Sequence, residues 1–425
     1  MQIEIICTGD EVLTGKIVNS NFSYISQKLE DYGFSVRRGL TVGDHREDLL
    51  QAFLEAGARS DVVIVNGGLG PTVDDLSQEV AAQAAGVELE LNEAWLAHMQ
   101  AYFEGRGRTM PENNTKQAML PKGAEMVDNP IGTACGFGVD IGRARFYFTP
   151  GVPRELHRML EQELIPRMLK KAGTRQVIRL KRYHSYGIGE SHADDLLSGL
   201  EALVPDGSLK LGFRAHYPQL ETKLTVRGAS EAEIAEKLKP VHAEMHRLMG
   251  NFILAEDDET LEGVVLEALG AQSATLAVAE DYSGGLLASR LANLPPARGV
   301  LLRAAASPDT ALLAQGLGHA GGTPDPLEKE AAEVLAEAAR TQAGATHGLA
   351  LLVTTEETDN PLQLSGTICV GISTAEGAAS RRSRLVGNRD WIRLGAVEMG
   401  LDSLRRYLRG LPIKEKTDFE RAAPN

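Results

Sequence analysis

The sequence predicts an α/β protein of three units. Two observations carry that prediction: continuous apolar, β-branched runs that end in glycine-rich turns, and amphipathic segments of helical period between them. A third is length, since 425 residues suffice for about two to four domains, each with a core of its own.

In the first unit, Ile3 to Cys7, Ser35 to Thr41 and Asp61 to Asn66 read as strands, and Asn19 to Asp31, Arg46 to Ala56 and Asp75 to Ala85 as helices. The run Val62-Val63-Ile64-Val65 has the composition of a strand covered on both faces. This βαβ rhythm implies a parallel sheet with helices on both faces, whose ligands sit at the carboxyl ends of the strands. Past Asn92 a longer helical stretch leads to two strands, Ala134 to Val139 and Ala144 to Phe148, paired around Ile141-Gly142-Arg143. Thr149-Pro150-Gly151-Val152-Pro153 then starts a helix containing Glu155 and Leu156, proline being favoured at a first helical position. A boundary near residue 170 gives a first unit of 1–170.

The second unit, 171–255, is a small α+β pattern. A strand from Val177 to His184 enters Tyr186-Gly187-Ile188-Gly189-Glu190-Ser191 and a helix ending near Leu203. Strands from Leu209 to Arg214 and Glu221 to Val226 precede a helix from Ser230 to Met249. His242 and His246 on that helix have the spacing of a metal pair. With no third ligand nearby in sequence, they read as ordinary residues of a polar helix face.

The third unit, 256–425, is again α/β. A helix from Thr260 to Leu269 and a strand from Thr275 to Ala279 lead into Glu280-Asp281-Tyr282-Ser283-Gly284-Gly285 and a further helix. Strands are expected at Gly348 to Thr354, Thr367 to Ser373 and Ser380 to Leu385, then a closing helix from Arg389 to Arg409. Leu294 to Thr323, rich in alanine, glycine and leucine, declares no local pattern.

Charge and cysteine content narrow the function. With 44 basic and 58 acidic residues the net charge is −14, which argues against a general binder of nucleic acid or membrane surfaces. Cys7, Cys135 and Cys369 are widely separated in apolar contexts and suggest neither a disulfide framework nor a zinc cluster. The apolar start reads as a first strand and no apolar run reaches transmembrane length, so a soluble cytoplasmic protein is expected.

The chemistry concentrates at two strand ends. Gly67, Gly68 and Gly70 allow a sharp turn that presents backbone N–H groups to an anion, followed by Thr72, Asp74 and Asp75, with the two acids read as opening a helix. Thr8, Gly9, Asp10 and Glu11 end the first strand, and a parallel sheet can bring all four carboxylates to one rim. Such a rim suits a hard divalent cation that bridges the protein to substrate phosphates, the chemistry of metal-assisted pyrophosphate hydrolysis. A module that holds a nucleotide without cleaving it would use the same parts, and a plain strand-to-helix turn with first-turn acids is the bland alternative.

Four segments then carry a resemblance: Thr8 to Gly15 (TGDEVLTG), Asn66 to Asp75 (NGGLGPTVDD), Asn129 to Ala134 (NPIGTA) and Phe148 to Pro153 (FTPGVP), with Gly187-Ile188-Gly189-Glu190-Ser191 in the middle unit. In order along the whole chain they resemble the successive signatures of the CinA family. The resemblance implies a molybdopterin-binding-like first domain that hydrolyses ADP-ribose or similar nucleotide pyrophosphates with a divalent ion (Mg, Mn or Co). It implies a KH-like middle domain, a last domain that deamidates nicotinamide mononucleotide in active relatives, and a homodimer. Carried over by position, Asp10, Glu11, Asp74 and Asp75 are the expected catalytic and metal-binding residues. Thr8, Gly9, Gly67, Gly68, Gly70, Thr72, Asn114, Lys116 and Gln117 are the expected substrate-binding ones, Lys116 as a cation for phosphate or, alternatively, a solvated helix residue.

The last unit departs from the pattern. Active deamidase relatives read Glu-Ser-Cys-Thr-Gly-Gly where this chain reads Glu280 to Gly285, so Asp281 stands at the nucleophilic serine. The family's tyrosine and lysine that activate the serine have no counterpart, since no lysine lies between Lys239 and Lys329 and Tyr282 is the sole tyrosine in that window. Thr355 to Asn360 replaces a glycine-rich segment. Nucleophile, base and cradle are lost together, so the expectation is a pyrophosphatase with an inactive deamidase-like domain. The alternatives are a non-catalytic nucleotide-binding or scaffold protein and, behind it, deamidation through Ser283.

Overall fold

A computed structural model of the chain describes residues 1–173, 177–319, 321, 325–415 and 417–420. They form two compact units, Met1–Arg179 with Arg227–Glu231, and Leu180–Val226 with Ala232–Asn425.

The first unit is built on a six-stranded sheet in the order Val36–Val42, Ile3–Thr8, Val62–Asn66, Ala144–Thr149, Gly136–Ile141, Glu125–Val127. The first four strands are parallel, and the last two pair antiparallel, including the hairpin around Gly142. Every residue of Ile3–Thr8 and Val62–Asn66 is buried, as continuous apolar runs require when helices cover both faces. On one face lie Phe53, Trp95, Phe137, Phe146 and Phe148; on the other, Ile25, Leu29, Leu156, Leu160 and Met168. The edge strand Val36–Val42 exposes Arg37 and Arg38, charges that discourage pairing with another chain, and also Leu40.

The chain leaves Ile3–Thr8 for the strand on one side of it and returns to the strand on the other side. That reversal makes a switch point, and crevices open at such points beyond the carboxyl ends of the strands. Register fixes the two loops there at one level, since Cys7 pairs with Asn66.

Two details differ from the sequence expectation. The helix after the glycine loop is Ser77–Ala85, so Asp74 and Asp75 precede it in a turn. The reason is local: the Asp75 carboxylate accepts the Thr72 amide at 2.9 Å and the Thr72 hydroxyl, a side-chain-to-backbone closure that competes with helix. Asp10 and Glu11 in turn sit in a one-turn helix, Asp10–Leu13. Short elements that the sequence pattern does not announce also appear: strands Leu89–Leu91, Met119–Pro121 and Glu125–Val127, and a 3₁₀ turn at Glu112–Ala118.

The second unit holds two sheets. Leu209–His216, Gln219–Gly228, Val177–Tyr186 and Ile253–Glu256 form a four-stranded one, with the helix Glu231–Met249 between its last two strands in sequence. Leu301–Ala306, Leu276–Glu280, His347–Glu357, Leu364–Ser373 and Ala378–Gly387 form a five-stranded one, parallel over its first three strands and antiparallel over the rest. The segment without a sequence pattern supplies the strand Leu301–Ala306 and the helix Thr310–Gly316, while its residues 320, 322 and 323 lie outside the described ones. The closing helix Arg389–Leu408 buries Asp402 between Arg405 and Arg406, its Oδ1 at 2.9 and 2.7 Å from Arg405 and its Oδ2 at 2.7 Å from Arg406. Beyond it, Asp418 accepts the Gly189 amide at 2.8 Å and meets His192 Nδ1 at 2.9 Å, while its own amide donates to the Gly187 carbonyl at 2.8 Å. Among the described residues no helix is long and apolar enough to cross a membrane.

Candidate functional site

The switch point opens into a crevice of about 540 Å³. Of the residues expected from sequence, Thr8, Gly9, Glu11, Gly67, Gly68, Gly70, Asp74, Asp75 and Gln117 line it. Asp10, Thr72, Asn114 and Lys116 do not. Asp10 turns aside, its Oδ1 accepting the Asp44 amide at 3.2 Å while its own amide donates to Asp44 Oδ2 at 3.1 Å. Asn114 and Gln117 brace the glycine loop from behind: Asn114 Nδ2 donates to Gln117 Oε1 at 2.8 Å, and Gln117 Nε2 to the Leu69 carbonyl at 3.0 Å. Lys116 does the same work, with its ammonium 3.0 Å from the Thr72 carbonyl and 3.5 Å from Glu79.

The loop itself is shaped for close backbone approach. Gly67 has φ +113°, and a Cβ there would lie 2.6 Å from Thr8 Oγ1 and 2.9 Å from the Thr8 carbonyl oxygen. A Cβ on Gly70 would lie 2.4 Å from Asp75 Oδ2. Below the loop, Asn66 Nδ2 donates to Thr149 Oγ1 at 3.2 Å and to the Pro150 carbonyl at 2.7 Å. Asn21 Nδ2 donates to Asn66 Oδ1 at 2.9 Å and to the Gly151 carbonyl at 2.7 Å. Thr8 Oγ1 and Asn21 Oδ1 are buried at this floor with no hydrogen-bond partner in the protein. Buried polar atoms rarely go unpaired, so both point to a polar ligand.

Three lining groups escape the sequence reading. Asn21 is one; Asp44 and Glu155 are the others, each with its carboxyl raised above the ordinary range chiefly by burial. Asp44 follows the strand Val36–Val42, so the strand-end rule that selects Asp10 and Asp74 would have found it. Glu155, on the helix Pro153–Met159, accepts Asn129 Nδ2 at 2.7 Å, and no local signal separates it from a first-turn acid.

The electrostatics are one-sided. Glu11, Asp44, Asp74, Asp75 and Glu155 face the crevice, and no lysine, arginine or histidine lines it among the described residues. Nor do three of these carboxylates converge to ligand distance; among the described residues that geometry occurs elsewhere, in the second unit. The donor set therefore does not make a closed protein cage. It fits a hard cation held through one or two carboxylates, with water and substrate oxygens completing the shell.

Two family models match the chain, a probable molybdopterin binding domain over residues 4–170 and the CinA C-terminal domain over 258–408. A CinA-like protein of Shewanella sediminis is 36% identical over 415 residues, 96% of each chain. The chain belongs to the CinA family. A second CinA-like protein, from Shewanella sp. strain MR-4, is 35% identical over 413 residues, again 96% of both. Among solved structures, the protein CinA of Thermoplasma acidophilum is similar at 32% identity, covering 40% of this chain and 96% of that one, with a TM-score of 0.35. A CinA superfamily protein of Klebsiella pneumoniae is similar at 19% identity over 35% of this chain and 96% of that one, with a TM-score of 0.31.

Within the family's C-terminal domain, the loop after Leu276–Glu280 is closed in on itself. Asp281 is 3% exposed; its Oδ1 accepts the Val353 amide at 2.7 Å and its Oδ2 the Thr310 hydroxyl at 2.9 Å. Burial pushes its carboxyl up to about 6 against those two hydrogen bonds, with Glu280 adding to the rise. Ser283 is buried and donates its hydroxyl to Glu280, whose carboxylate also takes the amides of Leu287 and Ala288, each at 3.0 Å. Thr355, Glu356 and Glu357 extend a hairpin, paired with Gly366, Ser365 and Leu364.

Proposed function

We propose that the first unit hydrolyses a nucleotide pyrophosphate of the ADP-ribose type with a divalent metal ion (Mg, Mn or Co), and that the C-terminal domain no longer deamidates nicotinamide mononucleotide. The observation that supports this reading is the charge of the crevice: a pyrophosphate cannot approach five carboxylates and no basic side chain unless a cation comes with it. One or two of Glu11, Asp74 and Asp75 would hold that cation, with substrate oxygens and water completing its shell, and it would supply Lewis-acid polarisation of the phosphoryl group. Gly67 uses its amide on the Thr149 carbonyl at 2.9 Å, which leaves the amides of Gly68, Leu69 and Gly70 as the loop's candidate donors to the phosphates. Water attacks one phosphorus, the bridging P–O bond breaks, and two monophosphates leave. Asp44 and Glu155, raised by burial, suit the proton that water releases.

For the C-terminal domain, the support is the occupied state of each group that chemistry would need. Asp281 stands at the nucleophile position with both oxygens engaged, and the Ser283 hydroxyl is tied to Glu280.

The test is incubation of the purified protein with ADP-ribose and metal, and separately with nicotinamide mononucleotide, comparing wild type with Asp74→Asn/Asp75→Asn. Metal-dependent release of AMP and ribose 5-phosphate, falling at least about 100-fold in the double variant, is expected. Cleavage no greater than that of the double variant would overturn the enzyme reading, and nucleotide binding without cleavage would favour a non-catalytic binder. Ammonia release from the mononucleotide would restore the deamidase.

A further inference from the structure

His242 and His246 lie one turn apart on the helix Glu231–Met249, and their ring centroids are 4.4 Å apart. The chain then passes through a short turn into the strand Ile253–Glu256, which pairs antiparallel with Val177–Tyr186 and ends beside the two rings. Glu256 Oε1 lies 2.8 Å from His246 Nε2, and its Oε2 lies 3.9 Å from His242 Nδ1. One ligand atom from each of the three residues falls within 4.8 Å of the others, the one such set of three or more among the described residues. The third ligand that the sequence reading did not find is thus ten positions beyond His246, delivered by the sheet.

We propose that His242, His246 and Glu256 bind a divalent transition-metal ion of the zinc, cobalt or nickel class. Two imidazoles and one carboxylate are a borderline donor set that suits those ions and is poor for magnesium, which demands oxygens. Bonds of about 2.0–2.2 Å place tetrahedral ligand atoms about 3.4 Å apart, so the two exposed imidazoles need swing by only about 1 Å. The ion takes the place of the contact between His246 Nε2 and Glu256 Oε1.

The surroundings hold the ligands in place. Tyr183 is fully buried and its hydroxyl lies 2.9 Å from His242 Nδ1, so it holds the ring in place and yields that nitrogen when the ion binds. Lys181 sits 2.5 Å from Glu256 Oε2 and 2.7 Å from Asp257 Oδ2, and so directs the other Glu256 oxygen towards His246. Lys181 thus faces two carboxylates, and a third, Glu259, accepts the Glu256 amide at 3.2 Å. A cleft of about 340 Å³ bordered by His246, Glu256, Glu259 and Arg409 opens alongside and admits water to the remaining coordination positions. A bound ion clamps the end of the helix to the strand that follows it.

The experiment is titration of the full-length, tag-free protein with Co²⁺, read by the visible absorption of the bound ion, and with Zn²⁺, read by the shift in melting temperature. One equivalent of cobalt beyond any held at the first-unit crevice is expected, and its band is retained in Asp74→Asn/Asp75→Asn. His246→Gln and Glu256→Gln should each weaken binding at least about 10-fold. Far-UV circular dichroism of each variant checks the fold, and His242→Ala, at an exposed position, replaces any variant that fails it. Absence of a cobalt band and of a zinc-dependent melting shift in wild type would overturn the proposal. So would a band that survives in His242→Ala/His246→Ala, or one that disappears in Asp74→Asn/Asp75→Asn.

Discussion

Gly67 and Gly86 both have positive φ, +113° and +70°, yet their surroundings differ: a Cβ at Gly67 would strike Thr8, while nothing lies within 4 Å of one at Gly86. Gly67→Ala should therefore cost about 1–3 kcal/mol and abolish nucleotide binding, whereas Gly86→Ala should cost about 1 kcal/mol and leave binding intact. Urea unfolding and equilibrium binding of ADP-ribose separate the two. Asp281 gives a prediction of opposite character. Its folded carboxyl titrates at about 6, above its unfolded value, so the folded state binds the proton more tightly. The resulting stabilisation is complete below the unfolded value and is lost as pH rises from about 4 through about 6. Asp281→Asn keeps an oxygen for the Val353 amide and removes the charge. It should leave stability little changed at pH 4 and raise it by about 1–3 kcal/mol at pH 8, measured as the difference in unfolding free energy from wild type.

At the scale of elements, the closing helix Arg389–Leu408 is the sharpest case, because Asp402 is the shared counter-ion of two buried arginines. Asp402→Ala leaves buried Arg405 without a carboxylate and Arg406 with Glu415 alone, and should cost about 3–5 kcal/mol; Asp402→Asn, which keeps an acceptor, should cost less. The midpoints of chemical denaturation decide it. The same scale shows why most elements were legible and a few were not. Ile3–Thr8 and Val62–Asn66 announce themselves through unbroken apolar runs, and Asn19, Asn92 and Thr260 cap the helices that follow them, with side chains accepting the amides of Phe22, Trp95 and Gly263. The start of Ser77–Ala85 was not legible, since Asp75 reads equally as a first-turn acid or as a turn-closing one, and only its pairing with Thr72 decides. Three-residue strands such as Leu89–Leu91 are too short for any period to show.

Across the whole molecule, charge governs what can bind and how. A chain of net charge −14 with an all-acid crevice needs a cation to meet a pyrophosphate, so chelation should abolish cleavage of ADP-ribose and added Mg²⁺, Mn²⁺ or Co²⁺ should restore it. An assay in EDTA followed by metal replacement checks this. Sequence reached the crevice because strand ends and glycine turns are local features. It missed Asn21 and Glu155, which enter from helices whose own periodicity carries no mark of the site, and Glu256, which only the sheet brings to its partners.

The contacts of Asp418 with Gly187, Gly189 and His192 have a consequence for how the protein is made. On a ribosome the Gly187–Ser191 loop emerges more than two hundred residues before the Asp418 carboxylate that bonds it. A chain that stops short of Asp418 would leave the Gly189 amide and His192 without this carboxylate.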